Sequence, residues 1–206
     1  MSKVVILADG EFPQCRKILD ILRTADTVIC CDGAADKLLQ FGREPDWIVG
    51  DLDSVSAEAK TRFADRVVKF YEQETNDLAK AFRFCSEKGF SPTAVLGASG
   101  AREDHLLGNL SRFAEYAIKY PDCRLYTDRG CFCVFSGKGE FSGRAGGQIS
   151  IFSFDPQQKI SSTGLKYPLN ELNLPWWHSG TLNEIVNGKF TLQTTSAVPV
   201  LVFFND

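Results

Sequence analysis

Residues 1–129 read as an α/β domain, a largely parallel sheet with flanking helices, and residues 130–206 as a C-terminal all-β domain. Three observations carry this expectation. Short apolar runs alternate with helical patterns through the first two-thirds of the chain, as βαβ units require. After Asp128-Arg129-Gly130 helical periodicity stops, and β-branched and aromatic residues cluster in short runs between glycines. Asn187-Gly188 then separates two such runs by two residues, a hairpin signal.

Taken in order, strands are expected over residues 4–7, 27–31, 47–49, 67–70, 93–96 and 124–127, each an apolar or β-branched run short enough for a buried strand. Pro13 suits the first turn of a helix that carries Ile18, Ile21 and Leu22 inward. Ala34-Ala35-Asp36 starts a second helix. Asn76-Asp77 opens another with Leu78, Ala81, Phe82 and Cys85 on one face. Asp104 opens a further helix with Leu106, Leu107, Leu110, Phe113, Ala114 and Ala117 inward. In the second domain, residues 181–186 and 189–195 are expected to pair across Asn187-Gly188. Residues 198–204 contain Pro199 and are expected at a sheet edge.

Composition narrows the functional classes. A chain of 206 residues with 44% hydrophobic and 24% charged residues can fold as one large domain or two small ones. A net charge of −3 without a Lys/Arg block gives no footprint for nucleic acid or a membrane surface. The start, MSKVVILADG, does not read as a signal peptide, and no apolar run reaches spanning length. A soluble cytoplasmic protein is expected. Cys30-Cys31 are adjacent and Cys131-Phe132-Cys133 alternate, so the seven cysteines lack zinc-knuckle spacing and are expected as reduced, small apolar residues.

The chemistry-bearing residues collect where strands end. Gly50-Asp51-Leu52-Asp53-Ser54 follows the third strand, and two acids at i and i+2 on extended backbone point to the same side. A divalent cation relieves such crowding of like charges; an Asp-rich turn with a helix cap at Ser54 is the alternative. Asp9, Asp32, Asp77 and Asp104 stand at the ends of other strands or at the helix starts that follow. Each alone is an ordinary helix cap, but together they point to one crevice beyond the carboxyl ends of the sheet. Gly97-Ala98-Ser99-Gly100-Ala101-Arg102-Glu103-Asp104-His105 joins a strand to a helix through small residues that admit phosphate oxygens, and Arg102 offers a bidentate fork. The loop lacks both the Walker A and the GxGxxG spacing. His105 fits a loop-holding role better than a catalytic one.

With these pieces in order, the chain resembles the thiamine pyrophosphokinase family. Asp32-Gly33-Ala34-Ala35, Pro45-Asp46, the GDLDS run, Asn76-Asp77 and the 97–105 segment carry the likeness, with Gly164-Leu165-Lys166-Tyr167-Pro168-Leu169 and Gly180-Thr181-Leu182-Asn183 in the β domain. Asn76 stands where the family usually has Thr, Ala101 follows Gly100 where a glycine pair is usual, and Leu182 replaces a Ser. The resemblance implies transfer of pyrophosphate from ATP to the thiamine hydroxyl with release of AMP. It also implies an α/β nucleotide-binding catalytic domain over 1–129, a β-sandwich thiamine-binding and dimerisation domain over 130–206, and a homodimer with thiamine between subunits. By position, Asp51, Asp53 and Asp77 would hold Mg²⁺ and act in catalysis with Asp104. Asp32, Gly33, Gly97, Ser99, Gly100 and Arg102 would bind ATP, with Asp104 or Asp32 as a possible proton acceptor. Thr181 and Asn183 would contact thiamine, and Trp176-Trp177 offer aromatic faces for its cationic ring. An ordinary kinase of another small alcohol and a non-catalytic nucleotide or thiamine-phosphate sensor are the alternatives.

Overall fold

The structure, a computed structural model, describes residues 2–205. The chain divides into two units, residues up to Tyr116 with Asp122–Asp128, and Ala117–Pro121 with Arg129 onward.

In the first unit, β1 (Val4–Leu7), β2 (Thr27–Cys31), β3 (Trp47–Gly50), β4 (Val67–Lys69), β5 (Pro92–Leu96) and β6 (Arg124–Thr127) pair in parallel in the order β6-β5-β1-β2-β3-β4. Parallel neighbours need crossover connections. The helices α1 (Arg16–Arg23), α2 (Ala34–Gln40), α3 (Ala57–Arg62), α4 (Asp77–Lys88) and α5 (Glu103–Ala117) lie between successive strands in the chain. Every residue of β1 is buried, which is why it reads as an unbroken apolar run. Strand order runs outward in both directions from β1 and β5, so their carboxyl ends flank the point where such sheets bind ligands.

The helix ends follow local chemistry. Asn76 Oδ1 accepts the Ala79 N–H at 3.0 Å to cap α4, and Gly89 ends that helix in the left-handed region at φ 71°. Two helical expectations need correction. The first helix begins at Arg16 and not around Pro13, because the amides of Gln14 and Cys15 donate to the Asp128 carboxylate at 2.9–3.2 Å and hold that segment as a loop. Leu107 is 51% exposed, whereas Leu110, Phe113, Ala114 and Ala117 are buried. The first turns of α5 turn Asp104, His105, Gly108 and Asn109 to a cleft, so Leu107 has no core to face.

The second unit is antiparallel throughout. One sheet has the order β12 (Asn183–Glu184), β9 (Gln148–Ser153), β14 (Val200–Asn205), β7 (Gly130–Phe135). The other has the order β11 (Leu172–Asn173), β10 (Lys159–Thr163), β13 (Lys189–Thr194), β8 (Lys138–Ser142). Cys133, Ile149, Ile151 and Val202 from the first share a core with Ile160, Phe190 and Leu192 from the second, the layering of a sandwich. Burial alternates along β13, as a strand with one covered face requires.

Two expectations fail here. No hairpin forms across Asn187-Gly188: β13 pairs with β8 and β10, while the short β12 pairs with β9 in the other sheet. The approach to that turn is irregular, with Leu182 at φ 60°, so the two flanking runs part into different layers. Pro199 does not mark an edge either. It precedes Val200, and β14 lies between β7 and β9 with every residue free to join a ladder. Five of the seven cysteines, Cys30, Cys31, Cys85, Cys123 and Cys133, are buried thiols, and burial pushes those of Cys85 and Cys123 up to about 12.

Candidate active site

A cleft of about 590 Å³ opens in the first unit beyond the carboxyl ends of the strands. Asp9 after β1, Asp32 after β2, Asp51 and Asp53 after β3, Asp77 at the start of α4 and Asp104 at the start of α5 all line it. Carboxylate oxygens of Asp32, Asp51 and Asp53 lie within 4.8 Å of one another.

The local geometry differs from extended backbone. Leu52 adopts φ 69°, and the Asp53 N–H donates to Asp51 Oδ1 at 3.3 Å, so a turn closed by a side chain brings the two acids together instead of strand alternation. The sharp turn therefore falls at Leu52 and not at Gly50. Gly50 instead makes room: a Cβ there would stand 3.2 Å from Asp32 Cβ and 3.3 Å from Asp77 Oδ1. Ser56, not Ser54, caps the next helix, accepting the Ala59 N–H at 3.1 Å.

Asp32 is the most stressed group of the cluster. It is 3% exposed with φ 45°; Oδ2 accepts the Ser54 N–H at 3.2 Å, while Oδ1 is buried without a hydrogen-bond partner. Burial, then the adjoining Asp53 carboxyl, push Asp32 up to about 7. Asp53 moves the other way, held below the usual range by its contacts with Asp32 and Ser54. An orphaned buried oxygen beside two further carboxylates is a donor set of the hard, anionic kind that Mg²⁺ takes.

Asp77, expected beside Asp51 and Asp53 as a metal ligand, lines the same cleft and is paired with a lysine. Its Oδ1 accepts from Lys80 Nζ at 2.9 Å, while Asp32, Asp51 and Asp53 form the tightest group of acids. Burial raises the Asp77 carboxyl, with Lys80 opposing the shift. Lys80 is a buried cation whose side chain is 2% exposed, and its ammonium also lies 3.8 Å from Asp51 Oδ2. Burial works against its charge, yet Asp77 and Asp51 hold its pKa above the ordinary lysine value. The sequence reading missed it; the available signal was a lysine one turn after Asp77 inside a helix buried on nearly every side.

Of the residues expected to bind ATP, Asp32, Ser99 and Arg102 line the cleft. Gly33, Gly97 and Gly100 stand next to lining residues, where an added Cβ would meet Asp9, Ala8 and Glu11 respectively. Arg102 Nε donates to Asp104 Oδ1 at 3.0 Å, and that guanidinium holds Asp104 below the usual carboxylate range. Such an acid is a poor proton acceptor.

The residues expected to meet thiamine belong to the second unit. Asn183 is 6% exposed, and its amide accepts from the Tyr167 and Glu184 N–H groups and donates to the Tyr167 carbonyl. Its amide thus also holds the local fold. Thr181 Oγ1 donates to the His178 carbonyl at 2.8 Å. Trp177 packs edge-on against Phe152 and Phe154, whereas Trp176 is 69% exposed.

The buried Asp32 carboxyl makes a stability prediction. Its native pKa lies above the unfolded value, so the native state binds the extra proton between about pH 4 and 7 and the metal-free protein loses stability as pH rises through that window. Asp32→Asn flattens this dependence and raises stability at pH 8 by about 1–2 kcal/mol, less than the full shift because Asp53 compensates. Urea unfolding at pH 5 and pH 8 in chelator measures it. A variant less stable than the parent at pH 8 contradicts the reading.

The α/β unit, with strand-end acids facing a small-residue loop at a helix start, defines a phosphate-handling class of protein, followed along the chain by a β-sandwich unit. The Thiamin pyrophosphokinase catalytic domain matches residues 18–127, and the Thiamin pyrophosphokinase substrate-binding domain matches residues 130–203. The chain belongs to the thiamin pyrophosphokinase family, enzymes that transfer pyrophosphate from ATP to thiamine. Thiamine pyrophosphokinase 3 of Oryza sativa subsp. japonica is 31% identical over 87% of this chain and 78% of its own. Thiamine pyrophosphokinase of Bacillus subtilis is 24% identical over 82% and 83%. The Bacillus subtilis crystal structure superposes over all of both chains with a TM-score of 0.77 at 22% identity, and thiamin pyrophosphokinase from Candida albicans over 99% and 93% with 0.75 at 15%. These superpositions show a shared fold.

Proposed function

We propose that the first unit is the nucleotide-binding catalytic domain and that its acid cleft works with Mg²⁺. Asp51, Asp53 and Asp77, with Asp32 beside them, are the residues that would hold the ion. When bound, Mg²⁺ neutralises charge on the polyphosphate and on the leaving oxygen. The remaining work falls to this chain's own groups. The loop 97–101 and Arg102 grip the polyphosphate, and the walls of the cleft align the thiamine hydroxyl with the β-phosphorus so that AMP departs opposite the attack. The observation that supports this reading above others is the orphaned Asp32 Oδ1, a buried anionic oxygen with no protein partner at the meeting point of three carboxylates.

The second unit is proposed as the thiamine-binding and dimerisation domain of a cytoplasmic homodimer, with thiamine between subunits. Trp176 supports this part, since its open indole face attracts a thiazolium cation. Among the described residues, no helix is long and apolar enough to cross a membrane.

The test is the identity of the nucleotide product. Incubated with ATP, Mg²⁺ and thiamine, the protein is expected to yield AMP and thiamine diphosphate in equal amounts, and to stop when the metal is chelated. ADP as product would replace this reading with a simple kinase, and no thiamine-dependent turnover would replace it with a sensor.

A further inference from the structure

The loop after β5 is anchored in an unusual way. Three consecutive carbonyls accept hydrogen bonds from within the first unit: Gly97 from the Gly10 N–H at 2.7 Å, Ala98 from Asn109 Nδ2 at 2.9 Å, and Ser99 from the Glu11 N–H at 2.8 Å. In a trans peptide the C=O of one residue and the N–H of the next point in opposite directions. Pinning these three carbonyls therefore turns the N–H groups of Ala98, Ser99 and Gly100 away from their anchors. None of the three donates to a protein acceptor among the described residues, and Ala98 and Ser99 line the cleft. The result is a row of unspent backbone donors, the arrangement that receives anionic oxygens.

Two of the anchors are backbone groups and cannot be varied by side chain. The middle anchor is the Asn109 amide, and its orientation is itself fixed. Asn76 Nδ2 donates to Asn109 Oδ1 at 3.0 Å, while Asn76 Oδ1 accepts the Ala79 N–H as the cap of α4. Hydrogen bonds thus run in one direction from Asn76 through Asn109 to the Ala98 carbonyl, joining the helix that begins with Asp77 to the loop.

We infer that Asn109 is a positioning residue for the anionic end of the substrate. It keeps the 98–100 donor row outward by holding the Ala98 carbonyl, and Asn76 sets which way its amide faces. This rests on the reading of the cleft as a polyphosphate site. Without the anchor, the 98–99 peptide rotates among orientations of which only a fraction present the N–H, and apparent affinity falls by that fraction.

The experiment measures binding of inorganic tripolyphosphate by calorimetry, together with KM and kcat for ATP and thiamine. The proteins are the parent, Asn109→Ala, Asn76→Ser and the double variant. Ser at position 76 retains a hydroxyl cap but does not reach Asn109. Asn109→Ala is expected to weaken tripolyphosphate binding and raise the ATP KM about fivefold, the worth of one neutral hydrogen bond, with the thiamine KM unchanged and a smaller change in kcat. Asn76→Ser shows a lesser effect in the same direction, and the double variant is no worse than Asn109→Ala. A parent that binds and an Asn109→Ala variant that binds equally well overturn the inference alone, as does a double variant whose losses add. If the parent binds neither tripolyphosphate nor ATP, the polyphosphate reading of the cleft fails and this inference with it.

Discussion

Asp51→Asn is expected to lower kcat about a hundred- to a thousandfold, the scale seen when one preorganised electrostatic partner is lost at a reacting centre, while the fold remains intact. The substitution keeps the shape of the side chain and the acceptor for the Asp53 N–H, which donates to Asp51 Oδ1. It removes one negative charge from a group whose oxygens lie within 4.8 Å of each other. Relief of that repulsion offsets the loss of a 3.8 Å contact with Lys80, so the melting temperature stays within a few degrees of the parent. The Mg²⁺ concentration for half-maximal rate rises in parallel, because an amide is a weaker ligand than a carboxylate for a hard cation. Steady-state kinetics across a Mg²⁺ titration measure both quantities. Near-parental turnover with an unshifted metal requirement would remove Asp51 from the site.

Much of this site was legible in the sequence because strand ends announce themselves. An apolar run that stops at an acid or glycine places that acid at the carboxyl edge of the sheet, and parallel order then brings such edges together. Asp9, Asp32, Asp51, Asp53, Asp77 and Asp104 reach one cleft on that logic alone. Sequence spacing did not reveal which oxygens are satisfied. The Leu52 turn, the orphaned Asp32 Oδ1 and the capture of Asp77 by Lys80 depend on backbone torsions and tertiary neighbours. The same limit applies to the β unit. Alternation identifies strands, but partners are chosen by the packing of both layers, so the Asn187-Gly188 signal was overridden and β14 took a central place. Asn183 shows a third limit of sequence reading. A polar residue in a family motif reads as a ligand contact, and spacing does not reveal that its amide also binds the Tyr167 and Glu184 backbone.

Lys80→Met is expected to destabilise the metal-free protein by about 2–3 kcal/mol at pH 8, short of the 3–5 typical of a broken buried pair because about a third of the Asp77 side chain meets water. Methionine fills the volume of the lysine stem, so the cost comes from charge and not from a cavity. Removing the ammonium leaves Asp77 and Asp51 facing Asp53 with no cation among them. Burial already raises the Asp77 carboxyl, and loss of Lys80 raises it further. A carboxyl with a raised native pKa gives stability that falls as pH rises, so the deficit of the variant shrinks toward pH 5 as Asp77 takes up a proton. The parent does not share this dependence on Lys80, whose own native pKa lies above the ordinary lysine value and leaves it charged throughout that range. Adding Asp77→Asn to Lys80→Met removes the stranded charge, and the double variant recovers most of the lost stability while remaining impaired in turnover. Urea unfolding of all four proteins at pH 5 and pH 8 in chelator closes the cycle. Losses that add at pH 8, or a Lys80→Met deficit that is the same at both pH values, would show that Lys80 acts through packing and not as the counter-charge of the acid cluster.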